Sequence, residues 1–151
     1  MNILEAKKRL SLDLLKEASI KALQENEKTA IGYNIGQLYN AGEDAEGKKL
    51  KRSNKPYSGY SKEYENKKKK EGKYQGFIDL HFIGKYYKGF KLFISGNKWG
   101  VGAAPAVKGG FDLTEGFREW YKGFEGLNDR NFKEFKEKHF MPTLKKLWNF
   151  S

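Results

Sequence analysis

Between Gly42 and Gly76 the chain carries Leu50 as its only large aliphatic side chain. A stretch that long without apolar periodicity cannot supply a core element. Inside a compact domain such a loop is usually functional or partly disordered. The charge also gathers here. From residue 48 to residue 73, eleven bases stand against three acids, giving +8 of the formal net charge of +11. We read residues 43–76 as a basic extended arm or loop on a single domain spanning residues 1–151. The remaining residues hold modest aliphatic content, so the core has to lean on 11 Phe, 9 Tyr and 3 Trp.

On either side of the arm the apolar pattern has a period. Residues 2–25 place Ile3, Leu4, Leu10, Leu14, Leu15, Ala18 and Ala22 at helical steps. A polar break at 24–28 precedes a second helix over about 29–41, with Gly42 as its stop. Gly32 and Gly36 cost helix propensity, so close packing or a bend is expected there. Ser61 is a candidate N-cap for a short helix within the arm. Residues 77–82 read as a short strand or turn. The period then becomes two: residues 90–95 and 98–103 are strands, and Gly96-Asn97 is a two-residue hairpin signal. Residues 105–110 read as loop. Residues 113–121 suggest a helical turn with Phe117, Trp120 and Tyr121 inward. Asn128 or Asp129 can cap a helix over about 130–140, and Pro142 restarts a last helix over 143–150. The fold class is therefore α+β: N-terminal helices, a small antiparallel sheet built on a β-hairpin at about 90–103, and C-terminal helices.

Several chemistries are excluded outright. The chain has no Cys, so thiol nucleophiles, disulfides and Cys-ligated metals are impossible within it. His81 and His139 lack partners at ligand spacing. No GxxxxGK[ST] loop occurs, and Gly100-Val101-Gly102 lies in a strand, where glycine marks close backbone approach. Scattered carboxylates such as Asp112 with Glu115 come with no nucleophile or metal partner. No cofactor and no enzymatic activity are expected. No apolar run approaches the roughly 20 residues of a membrane span, and the mixed-charge N-terminal stretch is unlike a targeting signal. The expectation is no membrane contact and assembly in the cytoplasm. The basic positions Lys48, Lys49, Lys51, Arg52, Lys55, Lys67, Lys68, Lys69, Lys70 and Lys73 are candidates for contact with a protein surface or with DNA. Tyr57, Tyr60, Tyr64 and Tyr74 are interleaved with them and suited to stacking on bases. A small basic nucleic-acid-binding protein is the alternative reading.

The order of features from the second helix through the hairpin resembles the virion-morphogenesis and tail-completion proteins of tailed bacteriophages. Residues 37–47, QLYNAGEDAEG, are similar to that family's QLxxxGxDAxG signature through Gln37, Leu38, Gly42, Asp44 and Gly47. Residues 76–84 resemble its following box through Asp79, Leu80 and Gly84, with Ile83 where the family has Thr. Phe90 opens the segment that falls where the family has its hairpin. Residues 124–128 and 140–144 are similar to the ending of versions from phages of Bacteroidetes. The resemblance implies a non-enzymatic virion protein, assembled in the host cytoplasm into a six- or twelve-fold ring at the head–tail connector or tail-completion position. It implies portal, connector or tail proteins as partners, and packaged DNA in the lumen as a possible contact. A chain with thin aliphatic content and an unpaired hairpin edge is short of burial, and neighbouring copies would supply it.

Overall fold

The computed structural model describes residues 2–51, 59–81, 85–105, 107–108, 111–121 and 123–148. Helix α1 (Ile3–Glu25) opens on a capping box in which Asn2 and Glu5 satisfy each other's end of the first turn. It stops at Asn26, whose side-chain amide donates to the Ala22 carbonyl and to Thr143 Oγ1, both at 2.9 Å. Helix α2 (Glu27–Ala41) begins at once and ends at Gly42, in the left-handed region at φ +59°. The arm contains α3 (Lys62–Lys70), capped by Ser61 as its sequence suggests. A single helical turn, α4 (Lys85–Lys88), leads into β1 (Phe90–Ser95) and β2 (Lys98–Ala103).

The β1–β2 ladder runs from Phe90↔Ala103 to Ser95↔Lys98, so Gly96 and Asn97 form the two-residue loop. Gly96 takes φ +61°, the conformation a type II′ turn requires at its first central position. Phe90, Leu92 and Ile94 turn inward and alternate with exposed neighbours. Among the described residues no further strand pairs either outer edge, as expected, but one amide on each edge is taken by a side chain. Glu27 accepts the Leu92 N–H at 3.3 Å, and Glu125 accepts the Ala103 N–H at 2.8 Å. Arg118 binds both Glu125 and the Ala103 carbonyl. Carboxylates thus occupy amides that a further strand would need.

Two other expectations change. Where 105–110 read as loop, residues 107–108 form β3 (Val107–Lys108), which pairs with β4 (Phe111–Asp112) in a second small ladder. Two residues a side are too few to leave a period in sequence. Helix α5 (Leu113–Trp120) follows, capped by Asp112, and buries Phe117; Tyr121, just after it, is buried too, while the Trp120 side chain lies outside the described set. At the C-terminus the helix does not stop before Pro142. Helix α6 (Asp129–Phe135), capped by Asn128, passes through a π-turn (Lys136–Phe140) into α7 (Met141–Trp148). The Met141 N–H reaches back five residues to the Lys136 carbonyl. In a regular α-turn the Pro142 ring would press on the carbonyl four residues back; the wider turn just before it relieves that clash. Residues 77–81 form no strand: their backbone is held by side chains, as described below.

The core is aromatic, as the composition requires. Tyr86, almost fully buried, meets Phe117 edge-on at 4.7 Å and Phe90 at 5.3 Å, with Phe124 at 6.1 Å. Leu38, Ala30 and Phe135 are wholly buried beside it. No described helix is long and apolar enough to cross a membrane.

Two glycines should respond oppositely to alanine. A Cβ on Gly42 would stand 2.4 Å from Phe77 Cδ2 and 2.8 Å from the Ile78 carbonyl, in a left-handed conformation. Gly42→Ala should cost at least about 2 kcal/mol in denaturant unfolding. A Cβ on Gly32 meets nothing, so Gly32→Ala should stabilise by about 0.5–1 kcal/mol.

Candidate functional site

The segment 37–47 folds as a joint. Gln37 is buried in the last turns of α2, and its amide nitrogen donates to the carbonyls of Asp44 (2.9 Å), Gly126 (3.1 Å) and Glu43 (3.4 Å). Its amide oxygen accepts the Asn128 N–H (2.9 Å) and Asn131 Nδ2 (3.1 Å). One turn earlier, buried Asn34 donates to the Gly126 carbonyl at 2.8 Å. Asp44 Oδ1 accepts the N–H groups of Glu46 (2.9 Å) and Lys48 (2.8 Å), closing an Asx turn that passes through Gly47 at φ +76°. Glu43 accepts from Asn128 and Arg130. Leu38 belongs to the core. Gln37, Leu38, Gly42, Asp44 and Gly47 therefore come together, and each has a packing, capping or hydrogen-bonding task.

A second cluster lies between α3 and residues 78–81. Lys68 and Asp79 form a buried ion pair at 2.5 Å, their side chains 4% and 1% exposed. Tyr60 donates its hydroxyl to Asp79 Oδ1 (2.6 Å) and accepts the N–H groups of Asp79 and Leu80, both at 3.1 Å. The His81 N–H adds a third donor to the same carboxylate oxygen at 3.0 Å. Tyr87 donates to the Asp79 carbonyl. The Lys68 ammonium stands 4.9 Å from the Tyr60 ring centroid and 6.0 Å from that of Tyr64. Leu80, buried, is held at φ +51°, a conformation that costs about 1–3 kcal/mol and persists only where its surroundings impose it. Here Tyr60 fixes its N–H and the core takes its side chain. Sequence reasoning placed Lys68 with the outward arm; only its partner, eleven residues on, distinguishes it from its neighbours.

The other described lysines of the arm are exposed, several of them beside acids. Lys48 pairs with Glu46 at 2.6 Å, Lys73 with Glu71 at 2.9 Å, and Lys69 with Glu65. Lys49 donates to the Ala41 carbonyl and lies 5.0 Å from the Phe77 ring centroid. Lys51, Lys67 and Lys70 are exposed. Exposed pairs of this kind contribute little to stability, but each places an acid within reach of a would-be phosphate contact. Arg52, Lys55 and Gly84 lie outside the described residues. Phe90 sits in the core under Tyr86.

Among the described residues no group of three or more His, Asp or Glu could hold a metal ion. His81 stacks on Tyr87, and His139 packs between Tyr33 and Phe135. Gly32 and Gly36 are not closely packed as expected; they floor an open groove beside Tyr33 and Arg130. No family model matches the chain, and neither does any curated protein or solved structure.

Two predictions follow from the Asp79 cluster. Lys68→Met leaves a buried carboxylate without its cation and should cost about 3–5 kcal/mol. Lys70→Met, on the exposed face of the same helix, should stay within about 0.5 kcal/mol; equal costs in urea titrations would refute the assignment. Burial, reinforced by the charge of Asp79, pushes the Tyr64 phenol up to about 12. Tyr60 is raised further by burial and its hydrogen bond to Asp79, and Tyr86 and Tyr87 by burial first. The folded state thus favours neutral phenols. That stability is complete below about pH 10, the unfolded value, and is lost as pH climbs towards the raised folded values. In an ultraviolet titration fewer than the 9 tyrosines should ionise near pH 10. A single transition of all nine in folded protein would contradict it.

Proposed function

We propose that this chain is a structural subunit of a tailed-phage or prophage virion, assembling in several copies at the head–tail connector or tail-completion position, and not an enzyme. The observation that carries the reading is the apolar face that α1 leaves open. Ile3, Leu4 and Leu10 are 77%, 75% and 63% exposed, and Leu12, Leu14 and Leu15 are exposed beside them. Large apolar side chains exposed in this number on one helix suit an interaction surface. The joint around Gln37 supports the reading in a second way. It spends the residues of the phage-like signature on rigidity, as a subunit that must present fixed faces to its neighbours requires.

The nucleic-acid reading draws less support. Lys68 is buried with Asp79, and Lys48, Lys69 and Lys73 each have an acidic partner. A phosphate-tracking surface needs cations free to release counterions from DNA. The surface lysines instead suit contact with a protein of mixed charge.

Native mass spectrometry of the purified chain should show a multi-copy species, and imaging of particles should place it on the portal–tail axis. A chain that stays monomeric at high concentration and is absent from particles would remove the proposal. Neutralising Lys67 and Lys70 together should leave any weak DNA binding with nearly the same salt dependence. A marked fall in the log–log slope would restore the nucleic-acid reading.

A further inference from the structure

Helix α3 buries a charge and little else. Its sequence, KEYENKKKK, has Tyr64 as its single apolar side chain, and the one residue it buries is Lys68. Among the described residues no other helix or strand packs along it, whereas α7 lies along α1 and α6 along α2. Nine residues make about two and a half turns, too short for a helix to persist alone in water. Apolar burial therefore does little to hold α3. What holds it is the Lys68 ammonium, 2.5 Å from Asp79 Oδ1 and over the face of the Tyr60 ring. Tyr64 adds an edge-on contact with Tyr60 at 5.0 Å.

The surroundings allow α3 to leave without the rest of the chain. After it, Gly72 turns at φ +66°, and a Cβ there would meet nothing. Before it, Tyr60 packs on the core and accepts the N–H groups of Asp79 and Leu80. With Lys68 withdrawn, Asp79 Oδ1 would keep the Tyr60 hydroxyl and the His81 N–H as donors. Water entering the space left by α3 would hydrate both ions. Opening thus exchanges one buried pair for two solvated charges, and in such an exchange Coulomb gain and desolvation largely cancel.

From these contacts we infer that α3 is a conformational switch worked by the Lys68–Asp79 pair. In the closed state Lys68 is seated on Asp79 and the helix is formed. In the open state the pair is broken and residues 61–72 lose the helix and the body together, while Tyr60 stays. The two states present different surfaces. Closed, the run 67–70 has Lys68 inside and Lys69 on Glu65, with Lys67 and Lys70 exposed. Open, four consecutive ammonium groups stand in water and the Asp79 carboxylate is bared. A partner that prefers either surface shifts the balance by its difference in affinity for the two states. The switch lies within one chain and does not require other copies.

Hydrogen exchange of the intact chain in low urea tests it. In the wild type, amides 65–71 should exchange at least about tenfold slower than in a free peptide and at least about tenfold faster than the slowest amides of α2 and β1. Their rates should also depend only weakly on urea, the mark of a local opening. In Lys68→Met, which replaces lysine by an equally good helix former, amides 65–71 should come within about threefold of free-peptide rates. The slowest amides of α2 and β1 should stay protected at least about a hundredfold. Lys70→Met should leave amides 65–71 within about threefold of wild type. One rate and one urea dependence shared by α3 and α2 in the wild type would mean that α3 opens only with the whole fold, and would overturn the switch. Free-peptide rates over 65–71 in the wild type would overturn it as well, since no closed state would exist. A folded Lys68→Met chain with α3 still protected would show that the pair is not what closes it. Should that variant fail to fold, the wild-type rates and their urea dependence decide alone.

Discussion

The side-chain amide of Gln37 has two donors and one acceptor oxygen with two lone pairs, and the fold uses all of that capacity in a buried site. Its partners come from three places: residues 43–44 just beyond α2, the 126–128 turn, and the first turn of α6. The end of α2 with the residues just beyond it, and the 126–131 segment some ninety residues later, are therefore referred to one group. The Asx turn at Asp44, the cap at Asn128 and the left-handed stop at Gly42 keep those carbonyls and amides where Gln37 can reach them. Remove the amide and buried backbone groups lose their partners, each at a cost of about 1–3 kcal/mol. The joint is specific because a polar group is costly to bury unless its geometry is met in full.

The Lys68–Asp79 cluster does for the arm what Gln37 does for the C-terminal helices. It ties α3 and residues 78–81 to the body through one carboxylate that collects a cation, a phenol and a backbone amide. A buried charge pair is weak evidence of net stability; what it does here is fix which residues of α3 and 78–81 face each other. The strained backbone at Leu80 fits that view, since a strained residue persists only where its neighbours over-determine it. A segment rich in lysine thus acquires a defined place, with one lysine inside and others outside.

The surfaces left over follow from the same economy of apolar residues. With few aliphatics, the protein builds its centre from Tyr86, Phe90, Phe117 and Phe124, yet it sets a row of leucines on the free half of α1. Such residues in water are unfavourable by about 25 cal/mol per Å² of area that a partner could cover. At the same time carboxylates block amides at the hairpin edges. The free half of α1 therefore keeps apolar area uncovered, while amides on the hairpin edges are already occupied.

Much of the framework is legible in the residues. Period 3.6 over α1 and α2, the stop at Gly42, the cap at Ser61, the alternation through β1 and β2 and the turn at Gly96-Asn97 are local effects, determined by neighbours a few positions away. The α+β class and the aromatic core follow from them and from composition. Polar Asn34 and Gln37 within the apolar stripe of α2 were a visible signal of a buried network, although their partners were not. Only the tertiary structure decided which lysine turns inward, which carboxylates cover the sheet edges, that Gly32 and Gly36 floor an open groove, and that the helix runs through Pro142 by way of a π-turn. Each of those outcomes depends on a group brought near from a distant part of the chain, or on a backbone adjustment that packing selects. Periodicity reports which face of an element is apolar; it carries no record of what that face will meet.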